Sequence, residues 1–173
     1  MDLLEAIKGR RSIRSFKSDD VTEEEVDLLI EAATMAPSAG NIQPWEFIII
    51  RTAEMKKRLA EAAYEQSFIE EAPVVIVVCA NEDRSSQRYG ERGKVLYCLQ
   101  DTAAAIQNML LTVYSLGLGS CWIGAFKEDK VREVLNVPTG IKPVAIVPIG
   151  HPARVGILRQ KRPTEQIVHH EKY

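Results

Sequence analysis

Residues 101–126, DTAAAIQNMLLTVYSLGLGSCWIGAF, decide how this chain is organised. Leu96, Leu99, Ala103, Ile106, Leu110 and Val113 recur at helical spacing, with Met109 and Leu111 widening the apolar face. The spacing predicts one mostly buried helix from Gly93 to Leu116. Such a helix suits either the spine of a two-layer core or a surface shared with a second copy of the chain. Glycines at 117, 119 and 124 then mark a turn followed by a short strand.

Apolar runs lie on both sides of this segment. WEFIII (45–50), PVVIVVCA (73–80) and KPVAIVPIG (142–150) read as strands, the second as a central strand covered on both faces. A short amphipathic helix is expected near residues 3–9. Thr22 followed by Glu25 is a capping-box signature that opens a helix reaching about Met35. One or two helices are expected over 53–71, and a charged one over 128–135. Residues 81–92 turn polar and charged and read as a variable, mobile loop. The mixture lacks a regular strand-helix-strand alternation, so the fold class is α+β, a sheet covered by helices. Residues 1–173 read as one domain, with 149–173 a tail that wraps around the body or exchanges with a partner.

Composition narrows the function. The chain has 173 residues, 22 Lys plus Arg against 24 Asp plus Glu, and a formal charge of -2. No overall positive field exists to hold a nucleic-acid backbone. Cys79, Cys98 and Cys121 are odd in number and far apart, the pattern of free thiols in a reducing, cytoplasmic setting. No apolar stretch is long enough to span a membrane. His151, His169 and His170 show no metal-ligand spacing, and no nucleophile elbow or phosphate-cradling glycine loop occurs.

Four stretches remain that could carry chemistry. In an extended segment Arg10, Ser12 and Arg14 share one side, where guanidinium forks and a hydroxyl suit a phosphate; Arg11 points elsewhere. A solvated basic turn paired with acidic residues 19–25 is the competing account. In PSAGNIQPW, Ser38, Asn41 and Gln43 could recognise the edges of a planar heterocycle, or the stretch could be an ordinary helix-to-strand connection. Trp45 could cover such a ring, but it reads more simply as a core anchor at the start of the following strand. Gly124 could let a backbone amide approach a planar cofactor, or serve a plain turn. Arg154, Arg159, Lys161 and Arg162 form a second basic cluster that could meet the first at one phosphate, or the two could be unrelated solvated patches.

Taken in order, RRSIRSF, APSAGNIQPWEFIII, the 101–126 segment and KPVAIVPIGHP resemble the FMN-dependent nitroreductase family over nearly the whole chain. The resemblance implies an α+β sandwich with a mainly antiparallel sheet flanked by helices, assembled as an intertwined homodimer with two FMN molecules at the interface. It implies that Arg10, Arg11, Ser12 and Arg14 lie at the phosphate and ribityl side, and that Pro37, Ser38, Ala39 and Asn41 come from the other subunit's loop. Ile123 and Gly124 would approach the flavin through backbone. Lys161 and Arg162 would complete phosphate binding, with Arg159 a competitor. The implied activity is electron transfer from NAD(P)H through FMN to a small organic acceptor such as a nitroaromatic or quinone, by a ping-pong cycle and without a protein nucleophile or metal. Reductive dehalogenation, a specialised oxidation and non-catalytic flavin binding are the alternatives on the same scaffold.

Overall fold

No polar side chain interrupts residues 74–80, and all seven are fully buried, as a strand covered on both faces requires. The computed structural model describes residues 2–173. In chain order its elements are α1 (Leu3–Gly9), α2 (Glu23–Thr34), β1 (Trp45–Ile50), α3 (Ala53–Ala62), α4 (Phe68–Glu71), β2 (Val74–Asn81), α5 (Glu82–Arg92), α6 (Cys98–Ser115), β3 (Gly119–Ser120), α7 (Glu128–Leu135) and β4 (Ile141–Gly150). The sheet runs in the order β1-β2-β4-β3, and each neighbouring pair is antiparallel. Ile50 faces Val75 across the first pair, and Ile76 faces Val147 across the second.

The two-residue period of β2 divides the core. Val74, Ile76 and Val78 meet Leu29 of α2 and Ile106 and Met109 of α6. Val75, Val77 and Cys79 meet Leu59 of α3, Ile69 of α4 and Val131 of α7. Each fully buried Val, Leu or Ile contributes about 1.5–3 kcal/mol through removal from water. The result is three layers, helices on both faces of the sheet, so α6 belongs to one outer layer and is not the spine of a two-layer core. Trp45 is buried on the same side as α6, as expected of a core anchor.

Local signals account for most element ends. The Thr22 hydroxyl accepts the Glu25 N–H at 3.2 Å while the Glu25 carboxylate accepts the Thr22 N–H at 2.9 Å, which starts α2. Residues 53–71 form two helices rather than one. Gly93–Tyr97 makes a wide π-type turn that continues into α6, so the long predicted helix is present with an altered first turn.

The expectation of a loop over 81–92 is corrected by the structure. Asn81 caps α5 by accepting the Arg84 N–H at 2.9 Å, and Glu82 and Asp83 occupy the first turn, where acidic side chains favour a helix. Only Gly90, at φ +56°, departs from the helical path. A Cβ on Gly93 would lie 2.4 Å from the Ser85 carbonyl oxygen, so the π-type turn and α5 pack backbone to backbone.

The tail runs back along the N-terminal segment. Lys17 N–H donates to the His151 carbonyl and Ala153 N–H to the Ser15 carbonyl, both at 2.9 Å. Beyond Gly156 the side chains are exposed, with a single 3-10 turn at Thr164–Gln166. Among the described residues no helix is long and apolar enough to cross a membrane, and no three His, Cys, Asp or Glu side chains are grouped as metal ligands.

Candidate functional site

The basic segment is positioned by Ile13. Its N–H donates to the Ser120 carbonyl at 2.9 Å, and its side chain packs so closely on Gly119 that a Cβ there would lie 2.7 Å from Ile13 Cγ1. With Ile13 turned into the core, the alternation of an extended chain sends Ser12 and Arg14 the other way. Burial pushes the Cys121 thiol above its ordinary pKa, against the opposing pull of Arg14, Ser12 and Arg10. Arg10, Ser12 and Arg14 also line one cavity.

The alternation predicts that Arg11 points away from Arg10, Ser12 and Arg14, but it lines the same cavity and is distinguished only by its hydrogen bonds to backbone carbonyls. Its Nε donates to the Gly9 carbonyl at 3.0 Å and its Nη1 to the Gly156 carbonyl at 3.4 Å, tying the tail to the body. This contact brings both ends of the chain to one cavity of about 1550 Å³, lined by Arg10, Ser12, Arg14, Arg159 and Lys161 with Arg11 among them. Arg162 is not on that lining; its Nη2 donates to the Gln166 carbonyl at 3.1 Å. Among the described residues, the side chains of Arg10, Arg14, Arg159 and Lys161 have no hydrogen bond or ion pair. Arg14 instead lies over the Phe68 ring, 5.9 Å from its centroid. These four cations, together with Lys8, Arg11 and Arg154, none of them in an ion pair among the described residues, and the hydroxyls of Ser12 and Ser15 line one cavity and fit a phosphate group.

The loop between α2 and β1 is strained. Gly40, Asn41 and Gln43 have φ of +55°, +56° and +54°, and only the first lacks a Cβ. Left-handed backbone costs an ordinary residue about 1–2 kcal/mol, so surrounding contacts must hold it. Within the loop, Ser38 Oγ accepts the Gln43 N–H at 2.9 Å and Asn41 Oδ1 accepts from Gln43 Nε2 at 3.1 Å. From outside, Arg84 Nε donates to the Ile42 carbonyl at 2.6 Å and Arg88 Nη1 to the Gly40 carbonyl at 3.3 Å. The Ala39 N–H donates to Asp101 Oδ1 at 3.1 Å. Sequence reasoning missed all three outside groups. The i,i+4 spacing of Arg84 and Arg88 behind the Asn81 cap was the available signal; a single aspartate on an otherwise apolar helix gives none.

Ile123 and Gly124 occupy a third place. Ile123 exchanges backbone hydrogen bonds with Ile146 at 2.9 and 3.0 Å, so its amide and carbonyl are both engaged by the protein. Gly124 is exposed, and a Cβ on it would meet no atom within 4 Å. It lines a cleft of about 370 Å³ with Trp122, Phe126, Leu99 and Ala103. Two residues from the predicted apolar stripe of α6 thus face this cleft rather than the core. Within one chain, the cleft and the basic cavity share no lining residue, and residues 37–43 line neither.

Residues 7–67 and 62–151 match the model of the nitroreductase family. The chain belongs to the nitroreductase family. Family relatives include an FMN reductase (NADPH) of Bacillus subtilis, 32% identical over 98% of this chain and 74% of that protein. An NADH dehydrogenase of Thermus thermophilus is 31% identical over 97% of this chain and 95% of its own length. The solved NADPH:FMN oxidoreductase of Vibrio harveyi, in complex with NAD+, superposes with a TM-score of 0.91 at 26% identity, covering 99% of this chain and 77% of that one. These matches agree with the α+β sandwich expected of a nitroreductase.

Proposed function

We propose that this nitroreductase-family chain is an FMN-dependent oxidoreductase that moves electrons from NAD(P)H to a small organic acceptor, such as a nitroaromatic or quinone, by a ping-pong cycle. The carrying observation is the cavity where unpaired Arg10, Arg14, Arg159 and Lys161 meet Ser12. FMN, when bound, supplies the redox chemistry. The phosphate of FMN suits the guanidinium forks and the Ser12 hydroxyl, and Arg11 serves the site indirectly by fixing the tail at Gly156. Arg14 favours negative charge on whatever ring system lies next to it. Gly124, with open space where a side chain would stand, lets a flat group approach the backbone.

The working unit is an intertwined homodimer. Leu3, Leu4 and Ile7 of α1 and Val155, Ile157 and Leu158 of the tail are all more than half or half exposed, from 50% to 88%, an apolar surface that a second copy would cover. The separation of the basic cavity from residues 37–41 within one chain supports a site completed by Pro37, Ser38, Ala39 and Asn41 of the other subunit. Residues 1–173 act as one domain whose tail, 149–173, reaches the partner.

Purified protein tests this directly. It is expected to be dimeric and yellow, to release FMN on denaturation, and to bleach on anaerobic addition of NADH or NADPH with colour restored by a nitroaromatic or quinone. Colourless monomer that takes up no FMN refutes the proposal, and bound FMN that neither nucleotide bleaches refutes the enzymatic part.

A further inference from the structure

Three charged side chains grip the strained loop, each on a different backbone group. Arg84 and Arg88 of α5 take the carbonyls of Ile42 and Gly40, and Asp101 of α6 takes the N–H of Ala39. The arginines are exposed, but Asp101 is only 7% exposed and stands among Thr102, Ala105 and Ile106 of the buried face. Its second oxygen, Oδ2, is buried without a hydrogen-bond partner, and no ion pair compensates the charge among the described residues. Burial pushes its pKa above the ordinary carboxylate value, against the Ala39 hydrogen bond.

A carboxylate in that setting is a poor choice for folding, because an apolar residue of similar volume packs there without desolvating a charge. What the carboxylate provides is an acceptor aimed at the first residue of the turn in which Gly40 and Asn41 adopt left-handed backbone. We infer that Asp101 is a positioning residue for the cofactor-facing loop, holding Ala39–Asn41 in its strained path through the Ala39 N–H. The inference rests on the proposed FMN site for its functional meaning, but the hold on the loop is measurable without cofactor.

The test compares wild type with Asp101→Leu, which removes the acceptor, and Asp101→Asn, which keeps an oxygen in place; Asp101→Ala repeats the loss with less bulk. Amide hydrogen exchange over 38–43 in the FMN-free protein is expected to quicken about tenfold or more in Leu and Ala and to stay within about threefold in Asn. FMN affinity is expected to follow the same order. The melting temperature of Asp101→Leu is expected to match or exceed wild type, which separates positioning from a merely structural role. Unchanged exchange in Leu and Ala, or equal losses in Asn and Leu, overturns the inference. Failure of wild type to take up FMN sinks the proposed function instead, and the exchange measurement still decides the role of Asp101.

Discussion

Gly93→Ala separates two descriptions of the segment that follows β2. Gly93 has φ -61° and ψ -46°, ordinary right-handed helix that any residue adopts. On propensity alone, replacing glycine by alanine in such backbone stabilises by about 1 kcal/mol. Were residues 81–92 a mobile loop, nothing would oppose that gain. In the structure the added Cβ lies 2.4 Å from the Ser85 carbonyl oxygen, 2.9 Å from its carbon and 3.0 Å from Tyr89 Cβ. That is about 1 Å inside ordinary C···O contact, and the obstacle is backbone, which a rotamer change does not remove. Overpacking of this kind costs about 1–3 kcal/mol, and more where backbone must shift. Because the obstacle is backbone, the cost lies at the upper end of that range, about 2–3 kcal/mol, and outweighs the propensity gain for a net loss of about 1–2 kcal/mol. For a chain of this size the melting temperature falls by about 2–8 °C. Thermal unfolding by circular dichroism at one protein concentration reads this, and a melting temperature equal to or above wild type refutes the close packing of α5 on the π-type turn.

Further expectations concern the site and its surroundings. Gly124→Ala introduces a methyl that meets no protein atom within 4 Å, so the melting temperature of FMN-free protein stays within about 2 °C while FMN affinity drops about tenfold; titration by flavin fluorescence showing unchanged affinity removes Gly124 from the site. Arg14→Ala and Arg159→Ala each weaken FMN binding about tenfold, whereas Arg162→Ala stays within about twofold, because only the first two line the basic cavity. Equal effects at all three sink that distinction. Burial pushes the Cys79 thiol up to about 12, so the folded state holds its proton where the unfolded chain has lost it. Its contribution to stability is full below the unfolded thiol pKa of about 9 and is lost as pH rises towards 12. Cys79→Ala should therefore flatten the fall in melting temperature over that window, and an unaltered slope contradicts the assignment.

Much of the architecture was legible because it depends on local pattern. The unbroken apolar run at 74–80 requires a central strand, the Thr22–Glu25 box starts a helix, and Ile106, Leu110 and Val113 mark a buried face, whatever the rest of the chain does. The α5 segment was misread because its polarity suggested solvent, although the Asn81 cap and the two acidic residues behind it are helix-start signals. The basic residues at both chain ends were visible in sequence, but periodicity does not measure the distance between residues 14 and 159. In the folded chain Arg159 and Lys161 line the same cavity as Arg14 while Arg162 does not, and Arg11 bonds the Gly156 carbonyl where the tail passes. Asp101 lies beyond sequence reasoning altogether. Its meaning comes from one hydrogen bond to a residue 62 positions away and from an unpaired oxygen, both of which exist only after α6 has packed against the loop before β1. Local spacing determines which faces are buried; tertiary packing determines which polar groups are left facing one another inside.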